Sequence, residues 1–226
     1  MTQTTASSQQ VKNDFFPIQD IDYLEFYTGN AKQATYFFCQ TFGFKPVAYS
    51  GLETGRRNKV SYVIEQGRIR FVISGSYHPD HEITSFTKKH GDGVKDIALR
   101  VEDVDQCYKE ALSRGAISLK EPFEESDDFG TVRKAVIGTY GDTIHTIIER
   151  KDYTGVFAPG FVTCDLNIPS TPSGIVAIDH VVGNVESMDE WVSYYEKVLG
   201  FKEMIHFDDK DISTEYSALM SKVMHN

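Results

Sequence analysis

The sequence predicts an α+β fold of paired βαβββ modules, one complete domain and the start of a second. Two observations carry that prediction. Residues Ile21-Asp22-Tyr23-Leu24-Glu25 return as Ile178-Asp179-His180-Val181-Val182, 157 positions later (178 less 21). The same offset, without a gap, lays Phe37-Phe38 on Tyr194-Tyr195 and Gly43-Phe44-Lys45 on Gly200-Phe201-Lys202. Self-similarity at a fixed spacing marks a duplicated structural unit. Within the chain, a strand pattern also passes repeatedly into a helix pattern and back to strands, as in a sheet with helices packed on it. Tyr23 of the first copy becomes His180 in the second, so the second copy is the one equipped for chemistry.

The first module opens at 20–28, where Ile21, Tyr23 and Leu24 mix with Asp22 and Glu25 in a half-buried strand pattern. Gly29-Asn30 ends it, and Asn30 can cap the helix predicted over 31–42 by Ala34, Phe37, Phe38 and Phe42 at helical spacings. Gly43 stops that helix in a position that favours glycine. Three strands follow, at 45–50, 59–65 and 68–74, the last two joined by a tight turn at Gln66-Gly67. The pattern then restarts with a strand at 94–101, a helix at 104–114 closed by Gly115, and strands at 131–138 and 143–149. A third strand–helix pair is expected within 175–207, capped by Ser187 or Asn184 and stopped by Gly200, and 213–223 offers one more strand.

Between the second and third modules, 151–174 holds Pro159, Pro169, Pro172 and several glycines, a linker by composition. The expected organisation is a disordered polar tail at 1–15, an N-terminal domain at 16–150, the linker at 151–174 and an incomplete C-terminal domain at 175–226. A sheet ended this way leaves an unpaired apolar edge, so the sequence reads as part of a longer protein.

Composition narrows the function. An apolar fraction of 40%, with 15 Phe and 12 Tyr in 226 residues, supports a packed core rather than disorder. A net charge of −10 argues against a nucleic-acid partner and against docking on anionic lipid. Cys39, Cys107 and Cys164 are odd in number and far apart, which excludes a disulfide framework or a CxxC metal pair; Cys39 and Cys107 fall in predicted helices as small buried thiols. With no apolar leader and no span of about 18 apolar residues, a soluble, cytoplasmic protein is expected.

Several groups could be mistaken for sites. His78-Pro79-Asp80-His81-Glu82 is the densest set of metal-type ligands, but its proline and polar neighbours predict a solvated loop or helix start with Asp80 as cap. The acidic run 121–128 lacks ligand spacing and reads as a solvated loop. His145 is expected to be a core or interface histidine; His206 and His225 are uninformative. No phosphate loop, Ser-His-Asp set or Cys-His nucleophile can be assembled, so no acid–base or nucleophilic catalytic residue is assigned.

The stretches Asp22-Tyr23-Leu24-Glu25-Phe26-Tyr27-Thr28-Gly29-Asn30-Ala31, Phe42-Gly43-Phe44, His90-Gly91-Asp92-Gly93-Val94-Lys95-Asp96-Ile97-Ala98, Val101-Glu102-Asp103-Val104 and Asp179-His180-Val181-Val182-Gly183-Asn184-Val185 resemble the 4-hydroxyphenylpyruvate dioxygenase family. That family lies within the vicinal-oxygen-chelate, glyoxalase-like superfamily, and the resemblance runs from about Phe16 to the end of the chain. It implies an Fe(II) dioxygenase of tyrosine breakdown that takes a small keto acid and O₂ to homogentisate and CO₂. Its iron is held by two histidines and a glutamate in the C-terminal domain, while the N-terminal domain keeps the fold without metal. Residue by residue, the resemblance makes His180 the first iron ligand and Ser221 a substrate-binding serine. It places the other two ligands beyond Asn226, which would leave this chain inactive alone. In the first domain the matching positions are Tyr23, Asp96 and Thr146, which cannot make a two-histidine, one-carboxylate face. Homo-oligomers are common in the family.

Asp179 could fix the His180 tautomer, but neighbours on a strand face opposite ways, which favours a plain surface aspartate. Two other readings stay open at this point. The related hydroxymandelate synthase uses the same substrate and iron but oxidises the benzylic carbon. A non-catalytic binding module of the same fold would explain the missing ligands, yet leaves His180 without purpose.

Overall fold

The computed structural model describes residues 14–207 and 221–226. Its first module runs β1 (Asp20–Tyr27), α1 (Ala31–Phe42), β2 (Lys45–Ser50), β3 (Lys59–Gln66) and β4 (Ile69–Ser76). A short helix, α2 (Glu82–His90), leads to the second: β5 (Gly93–Arg100), α3 (Val104–Ser113), β6 (Ser118–Asp127), β7 (Gly130–Gly138) and β8 (Ile144–Glu149). A two-residue strand β9 (Val162–Thr163), helix α4 (Met188–Leu199), β10 (Lys202–Phe207) and β11 (Ser221–His225) complete the described elements.

The modules share one nine-stranded sheet, ordered β6-β7-β8-β5-β1-β4-β3-β2-β9. β1 and β5 pair antiparallel at its centre, and each pairs in parallel with the last strand of its own module, β4 or β8. The two modules are therefore related by a pseudo-twofold through the β1–β5 seam.

Helix ends follow local chemistry. The Asn30 side chain accepts from Gln33 N–H at 3.0 Å, and Asp103 accepts from Gln106 N–H at 2.9 Å, each satisfying a donor that the first turn leaves free. The helices pack on one face of the sheet. There α3 buries Val104, Cys107 and Ala111 among Leu99, Ile137 and Ile147, while α1 buries Ala31 and Cys39 among Ile64, Ile69 and Ile73. On the other face Ala48, Val63, Val72, Tyr23, Ala98, Ile148 and Val132, drawn from seven strands, form a single cluster with Phe157 and Ala158. Side chains from so many strands meet only if the sheet curls around them.

Four features differ from the sequence-based expectation. The acidic run 121–128 is mostly strand: β6 is an edge strand whose Glu124 and Glu125 pair with Arg133 and Lys134 on β7 at 2.6 and 2.7 Å, so its polarity reflects two solvated faces. The segment after His78 becomes α2, capped by His81, whose Nδ1 accepts from Ile83 N–H at 3.2 Å, and not by Asp80. No strand forms over 175–186; a strand needs a neighbour for its N–H and C=O groups, and among the described residues the stretch has the Arg68 N–H to Val176 O bond but no ladder. Finally, the expected linker is a packed strap. Phe157 and Ala158 are buried, β9 pairs with β2, and Cys164 N–H bonds Val47 O at 3.0 Å. Most of the strand expected at 213–223, and the tail before residue 14, lie outside the described residues.

Candidate functional site

The site begins at a bulge. The β1–β5 register slips between Ile21 and Tyr23, leaving Asp22 without a ladder partner, and a bulge re-aims the side chains beside it. Asp22 turns into the protein, where Arg100 Nη2 and Arg150 Nη2 approach its carboxylate to 2.7 and 2.9 Å and Arg70 Nη1 to 3.8 Å. Arg150 and Arg70 also lie over the Phe157 ring, which meets Tyr23 edge-on at 5.6 Å. Burial alone would raise the Asp22 carboxyl; Arg150 and then Arg100 outweigh it and hold the group below the usual carboxylate range.

Next to this cluster the three positions that the resemblance aligns with iron ligands converge. Tyr23 Oη donates to Asp96 Oδ2 at 3.1 Å, Thr146 Oγ1 donates to the same oxygen at 2.6 Å, and Thr146 N–H donates to Asp96 Oδ1 at 2.9 Å. All three residues are buried. Burial raises the Asp96 carboxyl to about 6, with Thr146 opposing the rise and Glu25, directly across the ladder, adding to it. Burial, and then the Asp96 charge, push the Tyr23 phenol well above its ordinary range. Glu25 Oε1 accepts from Lys59 Nζ at 2.6 Å and from Ser74 Oγ at 2.5 Å. Ser74 is thus committed as a donor, and Ser61 supplies the hydrogen at 2.7 Å between the two serines.

This donor set does not suit iron. A two-histidine, one-carboxylate face needs imidazole lone pairs and a free carboxylate oxygen. Here two hydroxyls and an amide already spend their hydrogens on the one carboxylate, and the phenol stays protonated. Among the described residues no three His, Cys, Asp or Glu side chains stand together as a metal group.

His180 lies in the extended segment before α4, with 67% of its side chain exposed beside an Asp179 side chain 96% exposed. Its Nδ1 is 2.8 Å from Asp179 Oδ2. The expected opposition of neighbours does not hold, because the segment is not a strand. A carboxylate oxygen accepts in this contact, so Nδ1 is the donor, and in the neutral imidazole the lone pair then sits on Nε2, where a metal could take it. Ser221 opens β11 opposite Phe207 in the separate β10–β11 ladder.

Two histidine readings gain partners. His78 lines a shallow surface cleft with Thr28, Ser76 and Thr84. His145 is buried on β8, with Nδ1 2.8 Å from Ile97 O and Nε2 2.8 Å from Tyr195 Oη. The carbonyl fixes Nδ1 as donor, so Tyr195 donates to Nε2; burial lowers the imidazole to about 4, and it is neutral at pH 7. Sequence reasoning missed the Asp22 cage and the Tyr195 partner. The second left a trace in the repeat: Phe37 and Phe38 become Tyr194 and Tyr195, each gaining a hydroxyl.

Paired βαβββ modules closed around a central antiparallel strand pair make this a protein of the vicinal-oxygen-chelate fold. Its solved neighbours include a mutant 4-hydroxymandelate synthase from Streptomyces coelicolor, with a TM-score of 0.77 at 22% identity, covering 93% of this chain and 60% of that one. Another is a xylose isomerase-like TIM barrel/4-hydroxyphenylpyruvate dioxygenase fusion protein, with a TM-score of 0.62 at 20% identity, covering 92% and 31%. At such identities they show the fold alone. The family model for the hydroxyphenylpyruvate dioxygenase N-terminal domain matches residues 13–161, and the chain belongs to that family. The 4-hydroxyphenylpyruvate dioxygenases of Danio rerio and Xenopus tropicalis are 47% and 46% identical, over 90% of this chain and 53% and 54% of theirs. That of Yarrowia lipolytica is 42% identical over 97% of this chain and 59% of its own. The chain thus spans a little over half the length of these curated relatives.

Proposed function

We propose that this protein is an Fe(II)-dependent 4-hydroxyphenylpyruvate dioxygenase, converting 4-hydroxyphenylpyruvate and O₂ to homogentisate and CO₂. The observation that carries the reading is 42–47% identity to proteins of that activity along nearly the whole chain. Bound iron would supply a centre that chelates the keto acid and activates O₂. Within the chain, His180 would present Nε2 to that iron while Asp179 holds the Nδ1 hydrogen, and Ser221 would face the substrate. The Tyr23–Asp96–Thr146 network keeps its own hydrogen bonds satisfied and takes no part in the chemistry. Three free thiols, two of them buried, support a reducing, cytoplasmic setting.

Product analysis tests this. The complete gene product, supplied with Fe(II), 4-hydroxyphenylpyruvate and O₂, is expected to release homogentisate and CO₂ in equal amounts. 4-Hydroxymandelate as the product would transfer the protein to the synthase, and no turnover with tight substrate binding would favour a binding module.

A further inference from the structure

Two sets of contacts grip the chain on either side of His180, and both are made by the metal-free modules. Ahead of it, Gln66 at the end of β3 accepts from Ser173 N–H and Gly174 N–H at 2.8 and 3.3 Å through Oε1, and donates through Nε2 to Phe42 O at 2.6 Å. Ser173 Oγ donates to the same Phe42 carbonyl at 2.6 Å, and Arg68 N–H bonds Val176 O at 2.8 Å. The strap lies so close that two glycines have no substitute. Gly67, at φ +59, would place a Cβ 2.7 Å from Val176 O, and a Cβ on Gly43, at φ +77, would collide with Thr171 O.

Behind His180, α4 docks on the second module. Tyr194 Oη donates to Gly138 O at 2.7 Å, and Tyr195 Oη donates to His145, 3.2 Å from Thr139 Oγ1. Val198 and Leu199 are buried among α3 residues, and Trp191 meets Tyr140 edge-on at 5.8 Å. The first copy of the repeat carries Phe37 and Phe38 at the positions of Tyr194 and Tyr195. There Phe38 stacks among Phe26, Phe44 and Phe71 and needs no hydroxyl. The hydroxyls of Tyr194 and Tyr195 stand where α4 meets the second module.

We infer that Gln66 and His145 are positioning residues: Gln66 clasps Ser173–Gly174 ahead of His180, His145 latches Tyr195 behind it, and the metal-free modules thereby set where the His180 segment stands. The inference rests on the reading of His180 as an iron ligand. His145 holds its side of the latch as a neutral acceptor.

Trp191 is the chain's one tryptophan, so its emission reports whether α4 is seated. Tyr195→Phe, which removes one oxygen and leaves the packing intact, is expected to red-shift that emission and speed amide exchange in α4 at least about tenfold. Gln66→Ala is expected to do the same for exchange in 171–178. Unchanged emission and exchange in both variants would overturn the inference. In the complete gene product, Gln66→Ala and Tyr195→Phe should each weaken Fe(II) binding about 10- to 100-fold, as loss of supporting contacts does around metal sites, with the first domain still unfolding in one cooperative transition. Full Fe(II) affinity in these variants beside its loss in His180→Ala would overturn the positioning role alone. Full affinity in His180→Ala would overturn the assignment of His180, and the inference with it.

Discussion

Asp22-Tyr23 and Asp179-His180 occupy the same place in two copies of one repeat, yet their surroundings are opposite. Asp22 is buried in a cage of three arginines, and Tyr23 is closed onto Asp96. Among the described residues Asp179 and His180 face solvent and pair with each other. The difference shows what a duplicated fold can do with one position: the first copy closes its carboxylate and phenol onto partners from within, while the second leaves His180 Nε2 without a partner among the described residues. A network that is complete by itself stabilises; a group left with an open valence can bind.

The largest expected effect probes that contrast through stability. Asp22→Ala removes the buried carboxylate on which the part-buried Arg100 and Arg150 converge and should cost about 3–5 kcal/mol, the usual result of stripping one partner from a buried ion pair. Asp179→Ala should move stability by no more than about 0.5 kcal/mol. Urea unfolding of the two variants checks this, and similar losses in both would erase the contrast.

The next effect separates the two faces of the β5–β8 strand pair. Asp96 points inward with a carboxyl raised to about 6, and His145 points to the helix layer with an imidazole lowered to about 4. A carboxyl that holds its proton more tightly folded than unfolded adds stability as pH falls from about 6 to its ordinary value near 3.8. A histidine that holds its proton less tightly folded removes stability as pH falls from 6.5 to about 4. The two slopes oppose over the same window. Relative to the wild type, Asp96→Asn should therefore lose about 3 kcal/mol between about pH 6.5 and 4, at roughly 1.4 kcal/mol for each tenfold change in proton affinity. His145→Gln should gain a similar amount over the same descent. Parallel unfolding curves against pH for both variants would refute the pairing.

Elements with a side-chain cap and a glycine stop were legible in the sequence. Asn30 with Gly43 bounds α1, because the signal and the cause are the same local hydrogen bonds. Elements defined by distant partners were not. β6 hides behind its acids, whose counter-charges sit on β7. The strap reads as a linker because proline and glycine content says nothing of Gln66, over a hundred residues earlier in the chain, waiting to bind it. The site divides the same way. The repeat offset led to Tyr23 and His180, and family resemblance brought in Asp96 and Thr146, which the fold does bring together. The arginines around Asp22 come from β4, β5 and the end of β8, with no local pattern to join them. The missing strand around His180 shows the limit of reasoning from a repeat: equal sequence predicts equal structure only where the neighbouring strand is also present.

If only the second copy of the repeat is equipped for metal, the Fe(II) affinity of the complete gene product must depend on one copy and not the other. Titrating iron into the wild type and two single variants decides it. Tyr23→Phe is expected to bind one Fe(II) as the wild type does, while His180→Ala binds it more than about 100-fold more weakly, beyond the range that supporting contacts alone command. Loss of iron in Tyr23→Phe with full binding in His180→Ala would instead place the metal in the first modules.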